Sequence, residues 1–122
     1  MRLAIRLLGP ALLMSVLAVG CATTISRGPM PGGPAITITQ SFSFDPQQLS
    51  VDRGMTVTWR NIDTREHTTT HTVTSGTPGN QSGTFDQRIE GGKTFTFTFA
   101  DAGTFDYFCN IHQTMRGTVT VK

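Results

Sequence analysis

From Ala35 to the end of the chain, apolar and polar residues alternate in short runs separated by turn residues, and no stretch repeats with the 3.6-residue period of a helix. The pattern predicts strands at Ala35 to Gln40, Phe42 to Phe44, Gln48 to Val51, Thr56 to Asn61, His71 to Ser75, Thr84 to Arg88, Thr94 to Phe99, Gly103 to Phe108 and Gly117 to Val121. The clearest is Thr94-Phe95-Thr96-Phe97-Thr98-Phe99, where strict alternation puts three Phe on one face and three Thr on the other. Asp45-Pro46, Asp52-Arg53-Gly54, Gly91-Gly92 and Asp101-Ala102-Gly103 supply the positive φ angles and local side-chain bonds of turns. So many strands in one short domain bury their apolar faces most simply as two packed sheets. The predicted fold is therefore all-β, a Greek-key β-sandwich with Phe44, Val51, Val57, Trp59, Phe95, Phe97, Phe99, Phe105 and Tyr107 inside.

The first third of the chain has a different pattern. Residues 1–20 read as a signal peptide, with Arg2 and Arg6 as the charged region and Leu7 to Leu17 as the apolar one, too short for a permanent membrane span. Leu17-Ala18-Val19-Gly20-Cys21 resembles the bacterial lipobox, whose Cys becomes the lipidated first residue of the mature chain. Residues 21–34 then form that lipidated Cys and a flexible tether rich in Gly and Pro. The thirteen residues Ala22 to Pro34 reach about 20 Å, enough to hold a small domain off a membrane. The expected location is outside the cytoplasm, on the periplasmic or envelope side, with the membrane touched only through the anchor at Cys21.

Removing Arg2 and Arg6 leaves eight basic residues against eight acidic ones, so the mature chain is formally neutral. A neutral chain without a basic patch predicts no nucleic-acid partner, and strong electrostatic steering toward one oppositely charged partner is not implied. Two cysteines in an exported chain would ordinarily pair. Here Cys21 sits at the processing site and Cys109 beside His112, and no disulfide is expected. An immunoglobulin sandwich would use the Tyr107-x-Cys109 pattern and Trp59, but it also needs a second Cys shortly before the Trp. None is there.

Chemistry concentrates at Tyr107-Phe108-Cys109-Asn110-Ile111-His112-Gln113-Thr114-Met115. Cys109-x2-His112-x2-Met115 brings a thiolate, an imidazole and a thioether into one turn, the soft donors that select copper. A second imidazole would complete a His2Cys set with a weak axial Met, and His71 in His71-Thr72-Val73-Thr74-Ser75 can supply it. These residues, together with Thr56-Val57-Thr58-Trp59, Asn61, HTVTSGTPG over 71–79 and AGTFDYFC over 102–109, resemble the cupredoxin family in its plastocyanin and amicyanin branch. The resemblance spans residues 35–122 and implies a one-electron transfer protein carrying a single type 1 copper. By it, His71, Cys109, His112 and Met115 are the metal ligands, and the ring of His112 is the electron port. The expected partners are other redox proteins, and a monomer without enzymatic turnover is expected.

The chain departs from many related sequences in having Gln113-Thr114 where they carry Pro and an aromatic, and in an apparent insertion, Arg65-Glu66-His67-Thr68-Thr69-Thr70. His67 and His71 stand four apart, the helical spacing of zinc proteases, but Thr68 occupies the place of the required Glu and three Thr disfavour a helix. A zinc hydrolase built from Cys109 and the histidines is thus a minor alternative, and His67 reads as a solvated loop residue. Trp59 and the Phe ladder read as core, Met30 as a linker residue and Met55 as a turn residue. A module that sequesters or delivers copper is the other alternative, though no Met-rich cluster supports it, and the His-x-His pairs of multicopper oxidases are absent.

Overall fold

The computed structural model describes residues 32–66 and 70–122. The predicted signal peptide, Cys21, Met30, His67 and most of the predicted tether lie outside the described residues. Among the described residues nine strands follow in chain order: β1 (Ala35–Ile38), β2 (Phe44–Asp45), β3 (Gln48–Val51), β4 (Thr56–Asn61), β5 (His71–Thr77), β6 (Asn80–Ile89), β7 (Thr94–Thr98), β8 (Gly103–Phe108) and β9 (Arg116–Val121). They form a four-stranded sheet, β2-β1-β4-β7, and a five-stranded one, β3-β9-β8-β5-β6. The chain crosses repeatedly from one sheet to the other, giving the all-β sandwich that the alternation predicts. Both sheets are mixed, because β1 pairs with β4 and β3 with β9 in parallel, while the other pairings are antiparallel.

The core lies between the sheets, and Trp59 of β4 joins them. Its ring meets Phe95 of the same sheet at 5.5 Å, stacked, and crosses to Phe85 at 5.6 Å and Tyr107 at 5.5 Å in the other. Aromatic contacts at these separations add about 0.5–1.5 kcal/mol each to the burial of the rings themselves. Phe44, Val51, Val57, Trp59, Phe99 and Tyr107 are buried as expected, while Phe95, Phe97 and Phe105 are only partly so. Phe95 and Phe97 are less buried because β7 is an edge strand, covered on one side only. Met55 sits exposed in the turn between β3 and β4.

Two local devices shape the sheet that carries Cys109. Gly117 on β9 faces Tyr107 across the pair, and a Cβ there would collide with the phenol hydroxyl, so a glycine is required. At Gly76 (φ 105°) the β5–β6 register slips, a bulge of the kind glycine allows. Where ladder pairing lapses, buried Ser75 takes over: its hydroxyl donates to the Phe85 carbonyl at 2.9 Å and accepts from the Phe85 N–H at 3.0 Å.

Candidate metal centre

Strand order decides which side chains meet. β5 and β8 are antiparallel neighbours with Thr74 opposite Phe108, so the start of β5 and the end of β8 lie at one end of the sandwich. His71 is the first residue of β5, and Cys109 follows the last residue of β8. The loop from β8 to β9 closes with Phe108 opposite Arg116, and two backbone bonds fold it: Cys109 N–H to the Met115 carbonyl at 3.1 Å and Met115 N–H to the His112 carbonyl at 2.9 Å. A third tie joins the loop to β5, since Asn110 N–H donates to Thr72 Oγ1 at 2.7 Å.

The result is a triangle of donors: His112 Nδ1 to His71 Nδ1 at 3.2 Å, Cys109 Sγ to His112 Nδ1 at 3.8 Å and Cys109 Sγ to His71 Nδ1 at 3.9 Å. Among the described residues this is a group of His, Cys, Asp or Glu close enough to hold a metal ion. A point in its plane lies about 2.1 Å from all three atoms, in the range of nitrogen and thiolate bonds to a transition-metal ion. The donor set fits copper both by softness and by its three-cornered shape. Met115, the predicted axial ligand, is buried in the same loop, and His112 is half-buried beside exposed Ile111.

Electrostatics favour an ionised sulfur. Burial opposes ionisation of Cys109, but His71 and the backbone N–H groups of Thr72, His112 and Ile111 together outweigh it, lowering the thiol to about 6. The Thr72 and His112 N–H groups lie 3.3 and 3.4 Å from the sulfur. Burial likewise works against a charged His71, yet Cys109 and Asp63 prevail and raise its pKa.

Asp63 is the residue that sequence reasoning missed. β1 and β4 run parallel and finish together at Ile38 and Asn61, so the segments that follow each arrive at this same end. Asn61 donates through Nδ2 to the carbonyl of Ile89, the residue opposite His71, and accepts the Asp63 N–H at 2.9 Å. That bond aims the Asp63 carboxylate at His71, Oδ2 to Nε2 being 3.2 Å. Arg65 grips the same carboxylate with Nε and Nη2, each at 2.8 Å, and holds its pKa far below the usual carboxylate range. Phe42, counted above only as a strand residue, lies in the turn after β1 with its ring against both imidazoles. The one available signal for Asp63 was that a metal-bound imidazole needs an acceptor for its other nitrogen.

A two-sheet sandwich with a thiolate and two imidazoles gathered at one end is the architecture of a cupredoxin. Comparison with known proteins agrees. Residues 35–122 match the copper binding proteins of the plastocyanin/azurin family. The chain is 28% identical over 108 residues to amicyanin-alpha of Methylorubrum extorquens, covering 88% of this chain and 87% of that one. It is 33% identical over 84 residues to plastocyanin of Scenedesmus fuscus, covering 65% and 86%. The structure of a purple cupredoxin from Nitrosopumilus maritimus superposes with a TM-score of 0.63 at 28% identity, over 73% of this chain and 99% of that chain. This protein therefore belongs to the plastocyanin/azurin family of copper-binding proteins, in the plastocyanin and amicyanin branch. It is a blue copper electron-transfer protein, and the family's members are electron carriers.

Proposed function

We propose that His71 Nδ1, Cys109 Sγ and His112 Nδ1 hold a single copper ion with Met115 as the weak axial ligand, and that the protein passes single electrons between redox partners without turning over a substrate. The donor triangle carries this reading, because its three sides already match an ion at its centre. Bound copper supplies reversible one-electron chemistry between Cu(II) and Cu(I).

The chain's own residues supply the rest. The N–H groups of Thr72 and His112 meet the sulfur and stabilise it as thiolate. The loop is tied to its own stem and to β5, which holds the donors in one arrangement so that little has to move between oxidation states. His112 is the electron exit, since its ring is half-buried next to exposed Ile111 while His71 is fully buried.

The signal-peptide pattern of residues 1–20 and the lipobox-like Cys21 support a carrier working in the cell envelope on a lipid anchor. We take it as a monomer that exchanges electrons with other redox proteins. A labelled fatty acid should tag the protein and Cys21→Ser should abolish the tag; an unlabelled, soluble wild type refutes the anchor. The copper assignment is tested by titrating copper-free protein with Cu(II). One equivalent should produce an intense visible sulfur-to-copper charge-transfer band that is lost on reduction and returns on oxidation. A colourless copper-loaded protein, or a spectroscopically silent zinc in the native protein, would overturn it.

A further inference from the structure

Both imidazoles of the metal centre are braced from outside by residues that lie in neither the ligand loop nor β5. A carboxylate only accepts hydrogen bonds, so at 3.2 Å Asp63 Oδ2 fixes the proton of His71 on Nε2 and leaves the Nδ1 lone pair facing Cys109 and His112. The Asp63 side chain is fully buried, and Arg65, 43% exposed, covers it from the solvent side. The same guanidinium lies 5.0 Å above the ring of Phe42, a cation–π separation. Phe42 in turn meets His112 at 4.6 Å and His71 edge-on at 5.8 Å.

The backbone of Phe42 shows that this position is enforced. Its φ of 56° is the one positive value at a non-glycine residue among those described, a conformation costing about 1–2 kcal/mol for a bulky side chain. The turn imposes it through Thr39 N–H to the Ser43 carbonyl at 2.9 Å, Phe42 N–H to the Thr39 carbonyl at 3.2 Å, and paired hydroxyls of Thr39 and Ser43 at 2.7 Å.

We propose that Asp63, Arg65 and Phe42 form a clasp that positions the two imidazoles and sets the reduction potential of the centre. The inference rests on the copper-ligand assignment above. Asp63 Oδ2 touches both the guanidinium and the imidazole, so the negative charge lies nearer the metal centre than the positive charge that offsets it. The carboxylate stabilises the more positive oxidation state, and the guanidinium opposes it. The two residues therefore pull the potential in opposite directions, which a merely structural pair would not do.

Asp63→Asn keeps shape and removes charge. In copper-loaded protein it should leave the visible band in place and shift the Cu(II)/Cu(I) equilibrium about tenfold toward Cu(I), a rise of about 59 mV by voltammetry. Arg65→Met, at a partly exposed position whose loss leaves the core intact, should move the potential down. In the copper-free protein, nitrogen-15 spectra should show His71 as the Nε2–H tautomer, with Asp63→Ala mixing the two. Phe42→Asn, which tolerates the turn's backbone, should broaden the ring signals of His112, its nearer contact, more than those of His71. The clasp is refuted if both charge variants shift the potential in one direction or not at all, if wild-type His71 carries its proton on Nδ1, or if His112 ignores the loss of Phe42. Failure of the copper reading would show separately, as a wild type without a visible band, and the copper-free tautomer would still decide the role of Asp63.

Discussion

The loop over 109–115 and the two segments across from it, the turn over 39–43 and the connection over 62–66, meet at the same centre by opposite means. The loop packs Cys109, His112 and Met115 into seven consecutive residues, so their spacing has chemical meaning wherever the chain runs. Phe42 and Asp63 are 21 residues apart in sequence and share nothing a motif could capture. They converge because β1 and β4 are parallel neighbours that end together, with Ile38 opposite Asn61. For Cys109, His112 and Met115 donor identity is thus a local property, whereas the arrival of His71 beside them and the orientation of both imidazoles are properties of the topology.

The largest test of that contrast strikes the loop. Cys109→Ser should abolish the visible band of copper-loaded protein entirely, while far-UV circular dichroism still reports a folded sandwich; a band that survives would mean the loop is not the metal site. Next in size is the stem that carries the loop. Gly117→Ala drives a methyl group into the Tyr107 hydroxyl and should lower unfolding free energy by about 1–3 kcal/mol in urea titrations. Unchanged stability would show that β8 and β9 can part without cost.

A smaller effect should come from the opposing segments. Arg65 first, with His71 and the Arg65 backbone N–H, holds the Asp63 carboxyl below its unfolded value of 3.8. A depressed carboxylate contributes stability that is present above the unfolded pKa and lost as pH falls below it. Copper-free wild type should therefore lose stability more steeply than Asp63→Asn on acidification from about pH 5 to pH 2. Parallel curves would remove Asp63 from the account. The smallest effect is expected at His67: His67→Ala should leave the band unchanged, and bleaching there, with His71→Ala silent, would shift the ligand by four residues.

Much of the fold was legible residue by residue. Gln48–Val51, Thr56–Asn61 and Gly103–Phe108 have the boundaries that their alternation predicts. The β5–β6 hairpin was not legible at its tip, where both strands extend to the two-residue turn Pro78-Gly79, a Pro-Gly pair with Gly79 at φ 81°. β6 begins at Asn80, where it pairs with Thr77, and its alternation shows only from Thr84 because its first five residues are all exposed. An edge strand solvated on both faces has no apolar alternation to betray it.

The sequence by itself determined the class of fold and marked Cys109, His112 and Met115 as candidate donors, because period-2 patterning and soft-ligand spacing are set by residue identity and local separation alone, while His71 joined them only through the family resemblance. Tertiary structure alone decided how those donors are held. It placed a buried carboxylate on the far nitrogen of His71, covered that carboxylate with Arg65, and bent Phe42 into a left-handed turn against His112. These contacts depend on which strands lie side by side and where each ends. That is fixed by the packing of two sheets around Trp59 and Tyr107, not by any spacing along the chain.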